Sequence, residues 1–278
     1  MTIELIKKSR TWTGTVSYYR HQSEMTSTPM QFSIFIPDGG SSRKKTLLWL
    51  SGLTCTEENF ITKSGALGKA CELDMIIVCP DTSPRGTALK GEHDSYDFGS
   101  GAGFYVDATQ SPWNANYLMH SYLRDEFVPM IGHHFPINTD AMGISGHSMG
   151  GLGALMFGIS YPETFKSLSA FAPIVSPIHC PWGHKAFTNY LGENNSNWEQ
   201  YDPCYLLKER GYNGEILIDQ GDSDEFLQEQ LKPELLEKIG KEKNIELKIR
   251  YQQGYDHSYF FISSFIGEHL EFHHTKLI

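Results

Sequence analysis

The sequence predicts an α/β fold in which a mostly parallel central sheet is flanked by helices on both faces. Three observations indicate this: strand-like segments alternate with helical patterns, some of these strands are continuously apolar, and a serine motif directly follows one strand. Strand–helix alternation is typical of parallel sheets, and continuously apolar strands are expected where helices cover both faces. Without an internal repeat or a linker, the chain is expected to form a single domain over residues 1–278.

Four strands are predicted before residue 145. Met30–Pro37 alternates with a period of two and ends at a turn over Asp38–Ser42. Thr46–Leu50 and Met75–Cys79 are continuously apolar, as expected of central strands. Ala141–Ile144 is a short strand that leads into a glycine-rich segment.

The second half continues the alternation. Further strands are predicted at Ser167–Phe171, Glu215–Asp219 and Ile245–Tyr251. Helices are predicted at Leu152–Ile159, Phe226–Lys238 and Ser258–Leu270. Pro233 lies within the second of these helices and is expected to split it, because proline interrupts helical hydrogen bonding.

Charge and composition exclude several classes of protein. A formal net charge of −10 argues against a nucleic-acid partner, although it does not exclude an anionic small substrate. No stretch approaches the roughly 20 apolar residues of a membrane helix, and Met1–Arg10 lacks the apolar core of a signal peptide. We therefore expect a cytoplasmic protein with no nucleic-acid and no membrane partner.

The cysteines and histidines do not indicate a metal. The five cysteines are scattered without C-x-x-C spacing, which favours free thiols in a reducing compartment. The histidine pairs His133-His134 and His273-His274 place side chains in different directions, and no H-E-x-x-H pattern is present. We predict neither a metal nor a cofactor.

Residues Gly146–Gly150 read GHSMG, the G-x-S-x-G pattern of a nucleophile elbow. A serine hydroxyl is a weak nucleophile unless a base and oxyanion donors surround it. Taken alone, the pattern is equally compatible with a glycine-rich loop that contains a serine by chance. Its position directly after the strand Ala141–Ile144 favours the elbow, with Ser148 as the nucleophile.

Two further residues complete a candidate triad in the order Ser, Asp, His that is typical of α/β-hydrolases. Asp224 follows one late strand and His257 follows the next, so both are expected at the carboxyl edge of the sheet with Ser148. His257 is the predicted general base, and Asp224 the predicted partner that orients it. Other acids stand nearby, namely Asp219, Asp222 and Asp256.

Backbone N–H groups are expected to stabilise the oxyanion. Met149 follows the nucleophile at the start of a predicted helix, where the first N–H groups lack internal partners. The second donor should come from the loop after Thr46–Leu50, in which Gly52 permits a bend and Leu53 offers its N–H. We therefore predict an oxyanion hole formed by Leu53 and Met149.

Several motifs together resemble the S-formylglutathione hydrolases, the esterase D family of α/β-hydrolases. They are Ser51–Phe60 (SGLTCTEENF), Pro80–Gly86 (PDTSPRG), Gly101–Thr109 (GAGFYVDAT), Gly146–Gly151, Ser176-Pro177, Cys180–Gly183, Asp219–Gly221 with Asp224, and Tyr255–Tyr259. The resemblance spans nearly the whole chain. It implies hydrolysis of S-formylglutathione in formaldehyde detoxification, the same triad and oxyanion donors, a homodimer, and side activity on short-chain esters.

Residues of the substrate pocket are harder to predict. Trp182 is a candidate wall for a small acyl group, with a core or rim position as the alternative. Lys185 and Arg85 are candidates for contacting glutathione carboxylates, although solvated surface charges are the simpler interpretation. Cys55 stands two residues after the proposed donor Leu53 and is a candidate pocket thiol, with a small buried side chain as the alternative.

Other functions remain open from the residues themselves. A general short-chain carboxylesterase would use the same machinery with a different pocket. An acyltransferase would need a second acceptor and export, which the lack of a signal peptide disfavours. An inactive scaffold that only binds ligands is disfavoured by the intact candidate triad.

Overall fold

The computed structural model describes residues 2–39 and 43–277, so part of the predicted turn over Asp38–Ser42 lies outside the described residues. Within these ranges one sheet has the strand order β1-β2-β3-β5-β4-β6-β7-β8-β9. The strands are β1 (Ile3–Thr11), β2 (Gly14–Gln22), β3 (Pro29–Pro37), β4 (Lys44–Leu50), β5 (Ile76–Pro80), β6 (Ile137–Gly146), β7 (Phe165–Phe171), β8 (Ile216–Gly221) and β9 (Leu247–Gln252).

The predicted mostly parallel sheet is confirmed. Strands β4 to β9 pair in parallel, whereas β1, β2 and β3 pair antiparallel and β3 joins β5 antiparallel. Every residue of β5 and β8 is buried, so both alternating rows of side chains are covered. Helices therefore cover both faces at the centre of the sheet, as the continuously apolar runs predict.

The connecting segments supply the helices. They are α1 (Glu57–Lys63), α2 (Ala66–Glu72), α3 (Met119–Ser121), α4 (Val128–His134), α5 (Met149–Ser160), α6 (Pro181–Leu191), α7 (Pro203–Arg210), α8 (Pro233–Lys243) and α9 (Tyr259–Lys276). Helix α5 packs against β6, β7 and α7, and α9 packs against β4, β7, β8 and α2. No helix in the described part of the chain is long and apolar enough to cross a membrane.

Two predicted helices differ from the observed ones. The predicted helix Phe226–Lys238 is a π-helical turn, Leu227–Leu231, followed by α8, which begins at Pro233. The expected split at Pro233 is confirmed. Helix α8 can begin at this residue because proline is tolerated in the first turn of a helix. The last helix, α9, extends beyond the predicted end at Leu270 and is capped by the Ser258 hydroxyl, which accepts the Phe260 N–H at 3.2 Å.

Candidate active site

Ser148 lies at the sharp turn between β6 and α5. Its backbone has φ 59° and ψ −118°, a conformation that costs a residue with a side chain about 1–3 kcal/mol. Neighbouring strands hold the turn, since the His147 N–H donates to Leu50 O at 3.1 Å and the Ser148 N–H to Phe171 O at 3.0 Å. A strained turn supported in this way is the geometry of a nucleophile elbow.

The glycines of the motif allow the backbone to pack closely around the serine. A Cβ at Gly146 would lie 2.2 Å from Gly150 O, and a Cβ at Gly150 would lie 2.0 Å from Leu50 O. Gly52 has a similar part in the facing loop, because its Cβ would lie 3.2 Å from the Cβ of Ser148. Any side chain at these positions would displace the serine from its neighbours.

Asp224 and His257 form a close pair beside the elbow. Asp224 follows β8 and accepts a hydrogen bond from His257 Nδ1 on Oδ2 at 2.6 Å. Its Oδ1 accepts the Phe226 N–H at 2.9 Å, and Gln220 Nε2 donates to Oδ2 at 3.3 Å, so the carboxylate is fixed. In the neutral imidazole whose Nδ1–H donates to Asp224, Nε2 is the nitrogen that can accept a proton.

The other three acids considered in the sequence have different partners. Asp219 binds the guanidinium of Arg250 through both oxygens at 2.6 Å and lies against His269. Asp222 accepts the Gly254 N–H, and Asp256 accepts the N–H and hydroxyl of Ser258 before α9. The geometry therefore brings Asp224 to His257, as the loop positions predict.

His147 is a feature that the sequence did not identify as part of the site. Its ring centroid lies 4.3 Å from that of His257, with the rings inclined by 42°. Burial, reinforced by nearby His257, holds the pKa of His147 well below its usual range, so this ring remains neutral. The neutral ring of His147 therefore adds no second positive charge beside His257 when that base accepts a proton.

The proposed oxyanion donors lie on two facing segments. Met149 is the first residue of α5, where the backbone N–H has no partner within the helix. Leu53 belongs to the segment Ser51–Thr56 between β4 and α1, which we call the oxyanion loop. Within the described chain, neither the Leu53 N–H nor the Met149 N–H donates to a protein acceptor. Both groups are thus available to a substrate oxygen.

The serine opens into a pocket of about 270 Å³ with a mostly apolar lining. The lining residues are Gly52, Leu53, Thr54, Cys55, Tyr96, His147, Ser148, Trp182, Phe226, His257, Ser258 and Tyr259. The pocket candidates Cys55 and Trp182 are among them. Three aromatic side chains, Tyr96, Phe226 and Tyr259, were not identified from the sequence, although Tyr259 ends the segment Tyr255–Tyr259 that resembles the family.

Trp182 forms one wall of this pocket through contacts with other lining residues. Its Nε1 donates to the Tyr96 hydroxyl at 3.1 Å, and its ring centroid lies 4.7 Å from that of Phe226. Phe226 in turn meets His257 edge-to-face with ring centroids 5.0 Å apart. The aromatic wall thus reaches the proposed base and narrows the space beside it.

Lys185 and Arg85, the two residues predicted to contact the carboxylates of glutathione, both bind groups of the protein instead. Lys185 does not line the pocket, because its Nζ binds Asp97 at 2.6 Å and Ser95 at 2.7 Å. Arg85 binds Asp81 and the carbonyl oxygen of Cys55. The prediction that Lys185 lines the pocket is therefore wrong, because its amino group binds Ser95 and Asp97 on either side of Tyr96.

Cys55 is half-buried and shares the pocket with Ser148. We expect a mercurial or another thiol-directed reagent to inhibit hydrolysis by blocking the pocket, and Cys55→Ser to resist inhibition while it retains turnover. Burial raises the pKa of the Cys55 thiol, so alkylation should accelerate as the pH rises toward that pKa. The measurement is the pseudo-first-order inactivation rate against pH.

The half-buried Cys71, which lies on α2, supplies a matched control for this prediction. Cys71→Ser should leave the sensitivity to the reagent unchanged. Equal inhibition of the wild-type enzyme and Cys55→Ser would show that another group is modified.

Neither predicted histidine pair belongs to a cluster of metal-ligating side chains within the described residues. Within residues 2–39 and 43–277, no three His, Cys, Asp or Glu side chains are grouped so as to hold an ion. His133 and His134 have rings inclined by 88° at the end of α4.

Comparison with known proteins identifies a family and a number of similar solved structures. The model of the putative esterase family matches residues 23–272. An S-formylglutathione hydrolase from Agrobacterium tumefaciens has 41% sequence identity and a TM-score of 0.96, with 99% of each chain covered.

More distant structures share the fold. A fluorophosphonate-binding serine hydrolase from Staphylococcus aureus is 18% identical, with a TM-score of 0.73 and coverage of 94% of this chain and 98% of that one. A ferulic acid esterase from Anaeromyces mucronatus is 20% identical, with a TM-score of 0.67 and coverage of 98% and 94%. The same sheet and helices are thus found in proteins that act on different ligands.

Proposed function

Since this chain belongs to the putative esterase family, we propose that it hydrolyses S-formylglutathione to formate and glutathione. The chain is a serine hydrolase, and Ser148, His257 and Asp224 are its proposed triad. The observation that carries the proposal is the hydrogen bond of 2.6 Å between Asp224 and His257, because His257 lines one small apolar pocket together with the strained Ser148.

The proposed reaction has two halves. His257 Nε2 takes the hydroxyl proton of Ser148 as Oγ attacks the formyl carbon, and Asp224 stabilises the imidazolium that results. The Leu53 and Met149 N–H groups stabilise the oxyanion. The C–S bond then breaks, glutathione leaves with the proton from His257, and Ser148 carries a formyl ester. Water, deprotonated by His257, attacks this ester, and formate leaves as the Ser148 hydroxyl is restored.

The pocket agrees with a small acyl group and an anionic leaving group that extends outward. No charged carboxylate, lysine or arginine side chain is among its lining residues, so the two carboxylates of glutathione must lie beyond it. Lys63 stands beside the lining, with Nζ 5.6 Å from the ring centroid of Tyr259. Among the described residues Lys63 has no salt-bridge partner, whereas Arg85 pairs with Asp81 and Lys185 pairs with Asp97.

The alternative is a general short-chain carboxylesterase, and substrate comparison separates the two. We expect kcat/KM for S-formylglutathione to exceed that for p-nitrophenyl acetate by about a hundredfold or more, because contacts with the glutathione moiety add to transition-state binding. S-formyl-N-acetylcysteine is the matched control, since it keeps the formyl thioester and lacks most of the peptide. A higher kcat/KM for the acetate ester would instead support the carboxylesterase.

The family resemblance also implies the setting of this activity. We propose a cytoplasmic homodimer, a single domain over residues 1–278, and a role in formaldehyde detoxification with side activity on short-chain esters. The proposed substrate supports the role in formaldehyde detoxification, because a formyl thioester of glutathione contains a one-carbon unit at the oxidation state of formate.

A further inference from the structure

Two of the segments that resemble those of the S-formylglutathione hydrolases take no part in the proposed chemistry. They are Pro80–Gly86 and Gly101–Thr109. Both contact the oxyanion loop, Ser51–Thr56. Tyr105 donates its hydroxyl to Ser51 O at 2.8 Å, and the Thr54 N–H donates to Gly101 O at 2.9 Å. The oxyanion loop is therefore fixed from outside at its start and at its middle.

The end of the oxyanion loop is fixed by a second pair of donors. Cys55 O accepts Thr82 Oγ1 at 2.6 Å and Arg85 Nη2 at 2.9 Å. Both donors belong to the segment that follows β5. A carbonyl bound by two donors from one segment cannot rotate without losing both hydrogen bonds.

Arg85 is itself held in a fixed orientation. Its Nε and Nη2 bind the two oxygens of the buried Asp81 at 3.0 and 2.6 Å, a forked arrangement that a planar guanidinium favours. Its Nη1 donates to Ser100 Oγ at 3.1 Å. One side chain thus joins Asp81, Ser100 and the carbonyl of Cys55.

The position of the Cys55 carbonyl affects Leu53 because they share a tight turn. The Cys55 N–H donates to Gly52 O at 3.3 Å, which closes the turn around Leu53 and Thr54. Thr54 has φ 66°, a left-handed conformation that a residue with a branched side chain does not favour. External contacts must therefore maintain this turn and, with it, the direction of the Leu53 N–H.

We propose that Arg85 is a positioning residue for the oxyanion hole, which aims the Leu53 N–H by binding the carbonyl of Cys55. Arg85 touches no reacting atom in this role and acts through the oxyanion loop. The proposal rests on the assignment of Leu53 and Met149 as oxyanion donors, but it holds for any ester or thioester that Ser148 attacks.

The test compares Arg85→Lys and Thr82→Val with the wild-type enzyme on p-nitrophenyl acetate. Lysine keeps the positive charge beside Asp81, but a single ammonium cannot reproduce the forked geometry of a guanidinium. We expect kcat per active site, counted by titration with a fluorophosphonate, to fall about ten- to a hundredfold in Arg85→Lys, with KM nearly unchanged. Thr82→Val should show a smaller loss in kcat, because Arg85 still holds Cys55 O.

A second measurement separates an effect on the orientation of the Leu53 N–H from an effect on the stability of the fold. A trifluoromethyl ketone forms a tetrahedral oxyanion on Ser148, so its Ki should rise by the same factor by which kcat/KM falls. Arg250→Met is the matched control, because Arg250 also pairs with a buried carboxylate, Asp219, but has no hydrogen bond to the oxyanion loop. The Arg250→Met substitution should lower the melting temperature and leave kcat per titrated site unchanged.

Two results would overturn the proposal. One is an Arg85→Lys enzyme that unfolds more easily while kcat per titrated site stays at the wild-type value. The other is a loss of kcat/KM with no matching change in the Ki of the ketone. Since the assay uses p-nitrophenyl acetate, a failure here is distinct from a failure of S-formylglutathione as the substrate.

Discussion

Ser148→Ala is expected to lower kcat by about a millionfold. The reaction loses its covalent route, and only binding and the oxyanion donors remain to accelerate attack by water, worth about a thousandfold over the uncatalysed reaction. The measurement is kcat on S-formylglutathione and p-nitrophenyl acetate, with extensive purification to exclude contaminating esterase. Turnover near the wild-type value would remove Ser148 from the mechanism.

Ser148→Gly provides a matched control for the fold. Both variants lack the hydroxyl and should be equally inactive, but glycine relieves the strain at φ 59° while alanine retains it. The relief of about 1–3 kcal/mol is offset by about 0.5–1 kcal/mol from the greater freedom of glycine in the unfolded chain. Ser148→Gly should therefore unfold at a higher denaturant concentration than Ser148→Ala.

Asp224→Asn is expected to lower kcat by about ten-thousandfold near neutral pH. The substituted amide can donate its NH₂ group to His257 Nδ1, which would move the imidazole proton to Nε2. That nitrogen could then no longer accept the proton of Ser148. KM should change little, because Asp224 does not line the pocket. The measurement is kcat and KM across pH on both substrates.

Asp222→Asn is the control for this substitution. Asp222 lies two residues earlier in the same loop, where it accepts the Gly254 N–H at 2.7 Å and does not contact His257. It should retain nearly wild-type turnover. If Asp222→Asn were the more damaging of the two substitutions, the acid of the triad would have to be reassigned.

The positions of the catalytic residues could be predicted from the sequence because they follow parallel strands of one sheet. Parallel strands bring their carboxyl ends to one edge, so residues that follow β6, β8 and β9 had to meet there. The order of these residues along the chain therefore predicts that Ser148, Asp224 and His257 lie close together. The glycines of G-x-S-x-G were likewise predictable, because close backbone contact excludes a side chain at those positions.

Other features depend on contacts that a single sequence does not encode locally. β1 was missed because its charged and apolar residues follow no period of two, and nearly all of its residues are exposed. Tyr96, Phe226 and Trp182 meet across the fold and come from three distant segments. Lys185 was expected in the pocket as a contact for a glutathione carboxylate, and no local signal in the sequence indicated its partner, Asp97.

The wide separation of the catalytic groups along the chain has a consequence for folding. Ser148, Asp224 and His257 follow three different strands, and the oxyanion loop follows β4. The site therefore consists of contacts between residues far apart in sequence, which form slowly because long loops must close first. An intermediate that lacked β9 would hold Ser148 in its strained turn without its base. Enzymatic activity thus appears only when β4 through β9 have assembled, which makes it a late marker of native structure.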